Sequence, residues 1–194
     1  MLQADLHYQG QAGWFVGAGV SQLSFDDHAN PDFASLEAKP YLGWNLPLSA
    51  DWQAEWSVYG YIFSGKVFAQ NADYTEFSAA LHYQDWLSGR VFLAPDAYQS
   101  HAAVPSYELD FRRDLSDTVQ LSAGLGYSQA MALMGQDYFY WNLGVSWFLT
   151  NYLAVDMRYV DVHLDHYPVS EKSQDEFYPR PLAHQYLLSI TLGF

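Results

Sequence analysis

The chain contains no cysteine. That excludes disulfides, Cys-ligated zinc or iron–sulfur centres and a thiol nucleophile. It is also short of basic residues: 8 Lys and Arg face 22 Asp and Glu, for a formal charge of −14 over 194 residues. Nucleic-acid phosphates demand clustered Lys and Arg, so no nucleic-acid partner is expected. No apolar run reaches the roughly 18 residues that a membrane-crossing helix needs. The opening residues Met1 to Asp5 offer neither a basic stretch nor a long apolar one, so no signal peptide is read there. A cytosolic protein and a mature form that has lost its signal both fit that start, and the pattern of the remaining chain favours the mature form.

What the chain has in excess is aromatic: 16 Tyr, 12 Phe and 7 Trp make up 18% of it. Half of the residues are hydrophobic, yet the mean hydropathy is only −0.17. Apolar residues are therefore abundant but interleaved with polar ones. The interleaving has period two, the signature of strands with one apolar and one polar face. Counting back from the C-terminus, Phe194, Leu192, Ile190, Leu188 and Tyr186 alternate with Gly193, Thr191, Ser189, Leu187 and Gln185. A last strand of this kind, ending on an aromatic residue, resembles the assembly signal of bacterial outer-membrane barrels. The same alternation runs through Trp52–Phe63, Tyr74–Gln84, Leu87–Leu93, Tyr107–Arg112, Val119–Ser128, Trp141–Leu149 and Leu153–Tyr159. Trp14–Phe25 and Leu36–Leu46 are less regular, and Pro40 counts against the second because proline cannot donate to a ladder.

That makes ten strands, with eight or twelve as alternatives, each about long enough to cross a bilayer at a tilt. Short and long connections alternate along the chain, as in an up-and-down barrel with tight turns at one end and longer loops at the other. An even number of strands would leave both termini at the end of the tight turns. Trp14, Trp44, Trp52, Tyr74, Trp86, Tyr107, Trp147 and Tyr152 fall near strand ends, where amphipathic rings favour a membrane interface. The expected fold is all-β: a single up-and-down antiparallel transmembrane barrel over 1–194, in a bacterial outer membrane. Its expected partners are outer-membrane lipids, the barrel-assembly machinery and another envelope protein. No cofactor and no metal are expected.

The polar faces carry Glu37, Lys39, Glu55, Glu76, Arg90, Glu108, Asp110, Arg112, Asp156 and Arg158. A ten-stranded cylinder is narrow, and charge inside it must pair or meet water. A hydrated plug is expected, with Arg90, Arg112 and Arg158 set between carboxylates. The leading functional expectation is a barrel without catalytic activity, acting structurally or by binding a partner. The alternative is a narrow pore for ions or small solutes.

Several stretches resemble the proteobacterial outer-membrane family Gcw_chp: Asp73-Tyr-Thr-Glu-Phe77, Leu125-Gly-Tyr-Ser128, Asp137-Tyr138 with the Trp141–Trp147 strand, and Tyr159-Val-Asp161. Val16–Gln22, ending in Gly19-Val20-Ser21-Gln22, is similar to the family's first strand but lacks its usual Arg-Gly. The likeness spans about two-thirds of the chain and implies a barrel; no activity or ligand carries over from it. It makes Glu76 and Asp161 candidates for a shared structural feature. One catalytic candidate stands beside it. Asp161-Val162-His163 puts a carboxylate and an imidazole on one strand face, where the carboxylate could orient the imidazole as a general base. The pair resembles the Asp-x-His of omptin proteases, with Asp26-Asp27 as the acidic pair opposite. Omptins are much longer, however. The Ser/His/acid set of a lipid A deacylase is not evident. Between Leu164 and Ala183, residues Asp165, His166, Glu171, Asp175 and Glu176, with Lys172 and Arg180, match no calcium-loop spacing and are expected to form a solvated loop.

Overall fold

The computed structural model describes residues 3–23, 34–67, 71–164 and 185–192. It contains eleven strands: β1 (Gln3–Gln9), β2 (Trp14–Gln22), β3 (Leu36–Pro47), β4 (Trp52–Phe63), β5 (Tyr74–Tyr83), β6 (Leu87–Ala94), β7 (Val104–Ser116), β8 (Val119–Ser128), β9 (Tyr138–Thr150), β10 (Leu153–Leu164) and β11 (Gln185–Leu192). They form one antiparallel sheet in sequence order, an up-and-down meander. No described helix is long and apolar enough to cross a membrane.

The count of ten is corrected by β1, which the sequence reading passed over. Gln3–Gln9 alternates as the others do, with Leu6 and Tyr8 opposite Asp5 and His7. The alternation of short and long connections survives the extra strand, because residues 10–13 add one more tight turn. The N-terminal end changes place, however, while the C-terminal end stays beside a tight turn. β1 starts beside the end of β2 that leads into the long 23–35 connection, whereas Leu192 of β11 pairs with Leu153 beside the tight turn at 151–152. Other boundaries also move. β7 begins at Val104 rather than Tyr107, and β10 continues to Leu164, so Asp161 and His163 lie within the strand.

By its contacts the chain divides into two compact units, Met1–Leu81 with Val91–Pro105 and His82–Arg90 with Ser106–Phe194. In the first unit, registers carry like faces across the strands. Tyr8, Val16, Leu42 and Val58 form one apolar row over β1–β4, and Trp14, Trp44 and Trp56 form another. The turn between β1 and β2 needs glycine at residue 13. Its φ is +85°, and a Cβ there would lie 2.3 Å from the Asn45 carbonyl oxygen, to which the turn is tied by an Asn45 N–H···O=C Gly13 bond of 2.8 Å. Pro40 is accommodated inside β3. It pairs with Ala18 of β2, while the β3–β4 register steps from Ala38↔Ile62 to Tyr41↔Tyr59, leaving out Lys39 and the proline that cannot donate.

In the second unit, Leu121, Val145, Met157 and Leu188 form an apolar row over β8–β11, followed by Val119, Trp147, Val155 and Ile190. The polar rows run between them. Arg112, Ser122, Gly144 and Arg158 share one, and Asp110, Gly124 and Asn142 share the next.

The distribution of burial is inverted relative to a water-soluble sheet. Among the described residues the buried apolar side chains are Phe15, Val67 and seven alanines. The large apolar side chains are outside: Trp56 is 61% exposed, Met157 60% and Leu188 69%. Side chains of this size each gain roughly 1.5–3 kcal/mol from leaving water, and this sheet leaves them uncovered on one continuous face in each unit.

Candidate functional site

The polar face of the first unit is aromatic and acidic. Tyr41 reaches across β2 into space that only glycine leaves open. A Cβ on Gly17, its cross-strand partner, would sit 2.3 Å from the Tyr41 ring. Tyr41 donates its hydroxyl to Asp5 Oδ1 at 3.1 Å and meets His7 Nδ1 at 3.0 Å. Its ring centroid lies 5.7 Å from that of Tyr59. Further along β4, Tyr61 donates to Glu76 Oε1 at 3.2 Å and stacks on Tyr74, with centroids 4.5 Å apart and planes within 6°. Lys39 places Nζ 4.8 Å from the Tyr59 ring centroid and 5.2 Å from that of Tyr61. The sequence placed this lysine among the charges of the polar face; the structure seats it over two π faces.

At the end of the long connections this unit builds a small core from Ala34, Val67 and Ala72, with Leu23, Phe63 and Tyr98 packed against it. Tyr98 comes from the link between β6 and β7. Tyr98, Gln99 and His101 all have left-handed backbones there, with φ of 53°, 55° and 59°. Such conformations cost of order 1 kcal/mol or more each for residues with a Cβ. They turn the link so that Tyr98 lies 4.7 Å from Tyr74 and Gln99 Nε2 donates to the Asp73 carbonyl at 3.1 Å. His101 N–H is held by Asp96 Oδ1 at 2.7 Å.

On the polar face of the second unit, Arg158 is the hub. Its Nε pairs with Asp156 Oδ1 at 3.4 Å, Nη2 donates to Ser122 Oγ at 3.0 Å and Nη1 donates to Asn142 Oδ1. Asp156 also accepts from Ser146 Oγ at 2.7 Å. Glu108 accepts a hydrogen bond from the Tyr140 hydroxyl. Arg112 donates Nε to the backbone carbonyl of Asp85, not to a carboxylate. It borders a polar hollow at the tight-turn end with Gln84, Trp86, Asp114 and Gln120, in which Gln120 donates to Asp114 at 2.8 Å. Of the remaining sequence candidates, Glu37, Glu55 and Arg90 are half-buried on β3, β4 and β6, and Asp110 is exposed on β7. Among the described residues no group of three or more His, Asp or Glu is arranged to hold a metal ion.

A family model described as a bacterial protein of unknown function, Gcw_chp, matches residues 1–184. The chain belongs to the Gcw_chp family. The match extends well beyond the two-thirds that the short motifs suggested. No curated protein matches the sequence. Two solved structures resemble the Gcw_chp chain along its length. One is the KdgM porin, with a TM-score of 0.61 and 10% identity, covering 99% of this chain and 91% of that one. The other is the NanC porin, with a TM-score of 0.63 and 10% identity, covering 99% and 92%. At that identity the likeness is one of fold: the Gcw_chp chain has the all-β, up-and-down architecture of outer-membrane porins.

In this Gcw_chp chain Asp161 and His163 stand on the apolar face, in the rows of Leu125 and Trp141 and of Tyr127 and Phe139. Asp161 accepts from the Val162 N–H at 3.0 Å and from the Tyr159 hydroxyl at 3.5 Å, and His163 is exposed. Asp26 and Asp27, and the group Asp165, His166, Glu171, Lys172, Asp175, Glu176 and Arg180, lie outside the described residues. Of the C-terminal assembly pattern, Tyr186, Leu188 and Ile190 face out with their partners Tyr159, Met157 and Val155. Leu192 closes β11, and Phe194 lies outside the described residues. What charge counting missed was the tyrosine content of the polar face. The signal was there, since Tyr41, Tyr59 and Tyr61 share parity with Glu37, Lys39 and Glu55.

Proposed function

We propose that this Gcw_chp protein is an integral protein of the bacterial outer membrane whose sheet closes into a barrel, and that its polar face lines a narrow path for ions or small solutes. The observation that carries the reading is the inverted burial. Large apolar side chains are exposed in rows that cross the strands, while charged and hydroxyl groups gather on the opposite face. Acyl chains would cover the first face and water would hydrate the second, which removes the cost of leaving either in the wrong medium. The porin fold turns the reading from a purely structural barrel toward a path through it. The outward row Tyr186, Leu188 and Ile190 suits recognition by the barrel-assembly machinery. Nothing in this role calls for catalysis.

The test is conductance in planar bilayers. Protein refolded into lipid, its folded state checked by heat-dependent gel migration, is expected to give discrete single-channel steps. A correctly folded barrel that stays electrically silent would leave only the structural or partner-binding role.

A further inference from the structure

The reading as a channel leaves the solute class open, and the first unit's polar face speaks to it. We propose that this face carries a subsite for organic ammonium cations, formed by the Tyr59 and Tyr61 rings with Glu76 and Glu37 nearby, and that Lys39 is its tethered occupant. The inference rests on the channel reading for access to the site, and on its own geometry for the ligand.

Three observations converge. An ammonium group is already seated there, with Nζ about equally far from two ring centroids, at 4.8 and 5.2 Å. Both distances are within the roughly 6 Å over which a ring quadrupole attracts a cation. The rings are held in place rather than free to turn away. Tyr61 is fixed by its bond to Glu76 and its stack on Tyr74, and Tyr59 packs beside Tyr41, itself bonded to Asp5. The surrounding charge favours cations. Along the strands of this unit the polar face carries Asp5, Glu37, Glu55 and Glu76, with Lys39 the one Lys or Arg on it among the described residues. On the second unit's polar face Glu108, Asp110, Asp114 and Asp156 stand with Arg90, Arg112 and Arg158, so the charges nearly balance. The excess of negative charge is thus gathered where the stacked tyrosines are. A lysine on a flexible four-carbon stem can leave the rings without unfolding anything, so a soluble alkylammonium ion could exchange with it. A guest that is itself cationic and weakly hydrated gains most from such a site.

The probe is tetramethylammonium. Titrated into the refolded wild-type protein in detergent micelles and followed by tyrosine and tryptophan fluorescence, it should bind weakly, because Lys39 competes. Lys39→Met keeps the stem and removes the charge, and should tighten binding about tenfold. Lys39→Arg keeps a tethered cation and should behave as wild type. Adding Tyr59→Leu to Lys39→Met should abolish the gain. In bilayers the wild-type channel should select cations under a KCl gradient. Equal affinity in wild type and Lys39→Met, with both folded by gel migration, would overturn the subsite, as would anion selectivity of the open channel. Tight binding to Lys39→Met by a barrel that never conducts would retain the subsite and overturn the channel.

Discussion

Tyr140 lies over Gly126, its partner on the neighbouring strand, so closely that a Cβ on residue 126 would fall 2.0 Å from the ring. The missing side chain makes room for the ring, and the ring delivers its hydroxyl to Glu108 on the strand beyond. Three strands are thereby locked at one level of the polar face.

Gly126→Val forces Tyr140 off this seat and breaks its bond to Glu108. Overpacking of this kind costs about 1–3 kcal/mol. The expected result is a lower urea midpoint for the protein folded in vesicles. In a Tyr140→Ala background the same substitution should cost much less. Equal costs in the two backgrounds would show that the ring does not occupy this space.

Arg158→Met removes three donors at once, from Asp156, Ser122 and Asn142. Hydrogen bonds to charged groups are worth about 1.5–3 kcal/mol when dry. The two charged side chains here are 31% and 24% exposed, so water screens them, and about 1–2 kcal/mol is the expected loss. Asp156→Asn keeps the shape and an acceptor and should cost under about 1 kcal/mol. Equilibrium unfolding of both variants decides the order, and a larger loss for Asp156→Asn would contradict the hub role of Arg158.

The apolar face should show a depth profile. Val58 is central in β4, whereas Leu115 lies at the tight-turn end of β7. If lipid covers this face, Val58→Arg should cost about 2–4 kcal/mol and Leu115→Arg about 0–1. Unfolding from vesicles measures both. Equal penalties would mean that the face does not meet a bilayer.

The fold was legible because period-two alternation reports a face directly, residue by residue. In β8 to β11 the apolar positions from Leu125 and Trp141 to Val155 and Ile190 fall in rows shared with their neighbours, whereas the register shift at Leu153/Ala154 leaves Leu149 out of the β9–β10 ladder and Phe194 lies outside the described residues. β1 went unread although Leu6 and Tyr8 alternate with Asp5 and His7, because a seven-residue strand at a chain end gives few periods to count. The ion pair of Asp156 and Arg158 was partly legible, since residues two apart on a strand share a face. That Arg112 turns to a backbone carbonyl and Lys39 to tyrosine rings was not. Both depend on what the neighbouring strands bring alongside, which period two leaves open. The parity of Asp161 with Met157 and Tyr159 already placed it on the apolar face, and the catalytic reading had not used that parity.

The central claim is that the exposed apolar rows meet lipid acyl chains. Quenching of Trp56 by lipids brominated along the acyl chain tests it most directly, in a variant whose other tryptophans are replaced by phenylalanine. Strong quenching, greatest for bromines deep in the chain, is the predicted result. A folded, monodisperse protein in detergent-free buffer, with Trp56 unquenched by added brominated vesicles, would contradict it.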